Sequence, residues 1–210
     1  MKKCKLLIPA AILSMLLLCC KESQTVKIGN QEWASENLST SSFRNGEEIF
    51  EARTNQDWEQ AGKDGIPAWC YYGNNSKNNT KYGKLYNWYA VNDPRGLAPE
   101  GWHIPDKAEW TELISFLGGE NEATLKLKST KGWEDIGNGT NSSGFSAMPC
   151  GWRSDVGEFK GMAGNGSWWS SSEYSAFNAW YMSLDYFTGS VNMGTDSGKQ
   201  NGISVRCIKD

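Results

Sequence analysis

The chain has 210 residues, with 21 Lys and Arg against 24 Asp and Glu and a formal net charge of −3. That balance, without any basic patch, argues against nucleic acid as a partner, and the length suits one domain with a real core. Eleven Trp and 23 Gly, beside six Pro and one His, suit a loop-rich fold whose large rings fill irregular gaps, leaving about two to four rings for the surface.

Residues 1–20 read as a targeting segment. Lys2, Lys3 and Lys5 make a positive start, and Leu6 to Leu18 is an apolar run too short to span a bilayer comfortably. The run ends in Leu17-Leu18-Cys19-Cys20 and resembles a bacterial lipoprotein signal. Such signals place a small residue before the lipidated cysteine, so Cys20 is the expected lipidation site and Cys19 the alternative. An ordinary cleaved signal peptide is the plainer reading. Lys21-Glu22 resembles the short signal that sends some Bacteroidota lipoproteins to the cell surface. Three lysines leave with the leader and no acid does, which takes the mature balance to about −6. The expectation is a lipid-anchored protein of the outer membrane or cell surface. Residues 21–24 form a short tether and 25–210 a single domain.

Thr25–Gly29 alternates as a first strand, and Asn30 turns it. Residues 33–38 (WASENL) pack back onto the core, and 39–49 form a loop. Residues 56–63 suggest a short helical turn around Trp58, and 68–72 (AWCYY) an aromatic strand. The Asn-rich stretch 73–80 reads as a mobile surface excursion. In 84–91, Leu85, Trp88 and Tyr89 share one helical face, which ends at Asn92-Asp93-Pro94.

The clearest helix follows in 101–119. Asp106 caps its first turn, and Glu109 completes a capping box. Trp110, Leu113, Ile114 and Leu117 form its apolar stripe, and Gly118-Gly119 stops it. Residues 122–128 suggest another short helix with Leu125 as its main apolar contact. From Gly132 onward, glycine, serine and asparagine alternate with aromatics. Strands are expected at 145–148, 158–161, 167–171, 179–184, 190–193 and 203–208, with turns at Asn165-Gly166, Thr188-Gly189 and Asn201-Gly202. Helices early and small strands late indicate an α+β domain.

Several stretches together resemble one family: TVKIGNQEWASENL, YGKLYNWYAVND, GWHIPDKAEWTEL, NSSGFSAMPCGWR, WWSSSEY with AWYMSL, and GISVRCIKD. Their order is similar to the Fibrobacter succinogenes major paralogous domain, found in exported proteins of Fibrobacter and Bacteroidota. The resemblance spans 25–210 and implies a C-type-lectin-like fold, distantly similar to the sulfatase-modifying enzymes. It implies two main helices on the sheet, short antiparallel strands with long loops late in the chain, and termini close together. Family members commonly carry a cysteine where this chain has Ala98, and that cysteine would tie to the final strand. Cys207 therefore lacks that partner; it is free and buried, or paired with Cys70 or Cys150.

Catalysis is poorly supported. His103 is the single histidine and sits in a structural motif. The chain has no GxSxG, HExxH or glycine-rich phosphate loop. The region around 185–201 lacks the cysteine pair that sulfatase-modifying enzymes use to bind copper. Glu173 and Asp185 are candidates to flank a glycosidic bond, on their location in the aromatic region alone. Binding is better supported, because Trp168, Trp169, Tyr174, Phe177, Tyr186 and Phe187 stand among small polar residues, with Trp152-Arg153 joining the same surface. Rings stack on sugar faces while Asn, Asp and Ser meet hydroxyls. Asn138, Asn141 and Asp155 are candidates for a structural calcium ion. The expected partner is a glycan or an envelope protein, with assembly of a surface appendage as the alternative and a sulfatase-modifying type of oxidase as the remote one.

Overall fold

The computed structural model describes residues 25–210; the leader, Cys19, Cys20 and the 21–24 tether lie outside the described residues. Thr25–Ile28 (β1) turns at Gly29-Asn30 into Gln31–Ala34 (β2), in register from Thr25↔Ala34 to Ile28↔Gln31. Phe50–Glu51 (β3) leads to Asn55–Lys63 (α1), where Thr54 and Asp57 form a capping box and Trp58 is buried. Ala68–Cys70 (β4) is fully buried. The Asn-rich stretch is more than an irregular excursion. It forms two 3₁₀ turns and Asn79–Tyr82 (α2), and Asn74 and Asn78 donate their side-chain amides to Arg53 O and Tyr72 O.

Residues 84–91 do not make one helix. Leu85–Tyr86 (β5) is a strand, and Asn87 then caps Trp88–Val91 (α3) by accepting from Ala90 N–H. The cap lies inside the apolar stretch, so the chain changes period there. Trp102–His103 (β6) precedes Lys107–Phe116 (α4), whose capping box of Asp106 and Glu109 and buried stripe are as the sequence indicates. Glu120–Leu127 (α5) buries Ala123 and Leu127, not Leu125, which is exposed. Residues four apart share a helix face, and the one midway between them points away.

The later strands are Cys150–Arg153 (β7), Phe159–Met162 (β8), Asn165–Glu173 (β9), Asn178–Asp185 (β10), Asn192–Gly198 (β11), Ile203–Ser204 (β12) and Ile208–Lys209 (β13). The expected strand at 145–148 is only an isolated bridge of Ala147 to Lys128, and the strand falls at β7 instead. Asn165-Gly166 lies within β9, not in a turn. A Cβ on Gly166 would come within 2.7 Å of Met148 O and the Trp168 ring, so this glycine permits a close approach of strands.

Among the described residues, β1-β2-β13-β6 form one sheet, and β11-β10-β9-β12-β5-β4-β3, with β7 and β8 attached at β9, form the other. Val26 and Ile208 pair with Trp33 from opposite sides, so they stand two strand spacings, about 10 Å, apart. The described ends thus lie close together, with β2 between them. One core holds Trp33, Trp110, Phe145 and Trp168 under α4 and α5; a second holds Trp69, Tyr86, Trp88 and Trp169 on the other side of β9. With all its helices before the late strands, the domain is α+β.

Candidate functional site

Adjacent residues on a strand face opposite sides of a sheet. Trp168 and Trp169 on β9 therefore cannot share a binding face. Trp168 packs edge-on to Phe145 at 6.0 Å in the first core, and its indole N–H donates to Asn37 Oδ1 at 2.8 Å. Trp169 enters the second core and donates to Tyr86 O at 2.8 Å. Both are fully buried, so neither is a stacking platform. Of the eleven Trp, eight have the indole N–H tied to an internal acceptor; Trp102, Trp152 and Trp180 are the half-buried remainder.

The same alternation separates Trp152 from Arg153 on β7. Arg153 points inward between the rings of Trp58 and Phe159, 4.9 and 4.7 Å from its guanidinium carbon. Its guanidinium donates to Ala52 O, Thr54 O and Gly157 O at 2.8–2.9 Å, so it binds the fold and not a ligand. Trp152 points outward and, with Phe177, lines a hollow.

Two adjoining hollows of about 200 and 470 Å³ share Trp152, Asp196 and Asn201 in their walls. Tyr181 on β10 and Asp196 on β11 form the first together with Asn165, Ser167 and Ser183. Tyr89, Phe177, Asn178, Asp155 and Lys160 line the second. Tyr181 donates its hydroxyl to Asp196 Oδ1 at 2.6 Å, and its ring lies across Gly194 of the neighbouring strand, where a Cβ would come within 2.4 Å of it. Burial, then the Asp196 carboxylate, raises the Tyr181 pKa, so the phenol stays protonated. The result is a groove with aromatic walls and amide, hydroxyl and carboxylate groups between them.

The other candidates are dispersed. Tyr174 packs edge-on to Trp180 at 5.6 Å, and Lys107 Nζ stands 3.9 Å from the Trp180 ring. Tyr186 leans on the first core and meets Phe187 at 5.2 Å near the far end of the β10 hairpin. Glu173 pairs with Lys199, and Asp185 accepts from Thr188. Glu173 on β9 sits opposite Ala179, six residues from Asp185 along β10, so the two carboxylates stand about 20 Å apart, too far to share one bond. His103 is held between Glu109 Oε1 and Asp210 Oδ1, each at 2.8 Å.

Asn138 and Asn141 use their Oδ1 atoms to accept from Trp133 and Ser146 N–H, while Asp155 sits on a separate turn. Among the described residues no group of three or more His, Cys, Asp or Glu could hold a metal ion. Cys70, Cys150 and Cys207 are free, buried thiols, so neither bridge to Cys207 is formed. Cys150 instead shares a hydrogen bond with Ser204 Oγ at 3.1 Å.

Tyr181, Asp196 and Asn201 escape the sequence reading. The available signal was the period-2 alternation of 178–185, which puts Tyr181 and Ser183 on one face and Met182 and Leu184 on the other. No curated protein and no solved structure matches the chain. The Fibrobacter succinogenes major domain family matches residues 26–209, nearly all of the described chain. The chain belongs to the Fibrobacter succinogenes major domain family.

Proposed function

We propose that this protein is a binding module, not an enzyme, and that the groove at Trp152 takes a glycan. The observation that carries the reading is the joint lining of one groove by Trp152, Tyr181 and Phe177 with Asp196, Asn201 and Asn178. A sugar offers apolar C–H faces and a rim of hydroxyls, and such a lining meets both. The single histidine is committed to two carboxylates and the candidate acid pair is split, which favours binding over catalysis.

In this reading the module is exported and held by lipid at Cys20 to the outer membrane or cell surface. The leader sequence supports that anchor. A C-type-lectin-like arrangement is supported by the nearby ends, the early helices and the late antiparallel strands. A second reading, docking of an envelope or appendage protein, is favoured by Ile136 and Phe187, which are 96% and 73% exposed on segments that meet where Gly137 packs on Tyr186.

The test is a glycan microarray probed with the wild-type protein and with Trp152→Ala. The glycan reading expects a defined set of oligosaccharides whose signal falls in the variant. Equal signals from the two proteins, or no bound glycan, would reject the groove.

A further inference from the structure

We propose that the pocket above Arg206 is a second binding site, for a small molecule that carries a carboxylate beside hydroxyl groups. It shares no lining residue with the Trp152 groove and does not rest on the glycan reading. The pocket encloses about 490 Å³, inside the range of about 300–1,000 Å³ common for small-molecule sites. The segment after β2 lines it with Asn37, and α2, tied to that segment by the Asn37 amide donating to Tyr82 O at 2.9 Å, lines it with Asn79 and Lys81.

Arg206 makes the floor, and its side chain is fully buried. The guanidinium donates from Nε and Nη2 to Asn37 Oδ1 at 3.0 and 2.8 Å, and from Nη1 to Ala34 O at 3.1 Å and Phe145 O at 2.7 Å. All four bonds end on neutral oxygens. A guanidinium has five N–H groups, so these bonds leave one Nη2 hydrogen over. Burial pushes the Arg206 pKa down to about 10, as expected for a cation whose charge is thinly compensated. Lys81, exposed on α2, adds a second cation to a lining that holds one carboxylate, that of Glu36. An anion is the ligand group this pair of cations fits.

The second half of the ligand follows from Asn79. Among the described residues its Oδ1 is the buried side-chain oxygen that has no hydrogen-bond partner. Buried acceptors are rarely left unmet, and a donor entering the pocket would satisfy this one. Threonine and serine hydroxyls nearby can serve as donor or acceptor. No aromatic side chain lines the pocket, so a flat apolar ligand gains nothing there. A carboxylate for the cations and a hydroxyl for Asn79 Oδ1 together describe a hydroxy acid or a uronic acid.

The experiment is titration calorimetry of the full protein with D-glucuronate, D-glucose, acetate and inorganic phosphate, each alone. The proposal expects glucuronate to bind more tightly than the other three by about tenfold or more. Lys81→Ala and Asn79→Ala should each weaken glucuronate by about fivefold or more while keeping the wild-type melting curve. Trp152→Ala should leave glucuronate affinity unchanged, which separates this site from the groove. Absent glucuronate binding, equal affinity for all four, preference for phosphate, or wild-type affinity in both pocket variants would overturn the proposal. So would loss of glucuronate binding in Trp152→Ala.

Discussion

Trp168→Ala separates a core role from a binding role. In the structure Trp168 is fully buried, packs on Phe145 at 6.0 Å and donates to Asn37 Oδ1 at 2.8 Å. Truncation removes a large ring from a closed core formed by β9, α4 and β2, and the space cannot drain to solvent. Removing such a ring costs about 3–5 kcal/mol. Loss of the indole N–H leaves no orphan, because Arg206 Nε and Nη2 still bond Asn37 Oδ1, so no further desolvation cost is added. For a domain of this size each kcal/mol lowers the melting temperature by about 2–4 °C, which gives a drop of about 6–20 °C. The assay is urea and thermal unfolding followed by circular dichroism. Trp152→Ala, a half-buried groove residue, should lose less than about 1 kcal/mol in the same assay. A wild-type midpoint for Trp168→Ala, or a larger loss for Trp152→Ala, would refute the assignment of inside and outside.

Three further outcomes follow from the geometry. Burial disfavours a charged His103, but hydrogen bonds to Glu109 and Asp210 outweigh it and hold its pKa above the ordinary value. The contribution to stability is therefore complete below an unfolded pKa of about 6.5 and is lost as pH rises through the higher folded value. An NMR titration of the single imidazole should show a midpoint above 6.5, and one at or below that value contradicts the clamp. Burial pushes the thiols of Cys70 to about 11 and Cys207 to about 12, and raises that of Cys150. All three should escape alkylation in the folded protein and react in denaturant; a disulfide-linked peptide in mass spectrometry would argue otherwise. Gly194→Ala should displace the Tyr181 ring and weaken any groove ligand by about fivefold or more, with a near-normal melting curve. Unchanged affinity would remove Tyr181 from the site.

How far the sequence could be read depended on how local the cause was. The capping box at Asp106, the stripe of α4 and the turn after β1 depend on neighbours a few residues away, and each stands as expected. Leu125 and the 84–91 stretch went astray because Ala123 with Leu127, and the cap at Asn87, settle those segments against the more obvious apolar residues. The site was harder. The WWSSS stretch looks like a surface of rings, but packing on both faces of β9 makes each tryptophan internal, and no count of nearby residues shows that both faces are covered. Tyr181 and Asp196 meet across a strand pair fifteen residues apart in sequence, and Arg206 finds its pocket through Asn37, distant by 169 residues. Such pairings depend on sheet order, which the sequence pattern alone leaves open.

The most direct measurement is the affinity of one array-selected oligosaccharide for the wild type and for Trp152→Ala, by titration calorimetry on the same batch of ligand. Loss of one stacking ring should cost about 1 kcal/mol or more, about a fivefold rise in Kd, with the fold intact. An identical Kd for both proteins would contradict a sugar-binding groove at Trp152.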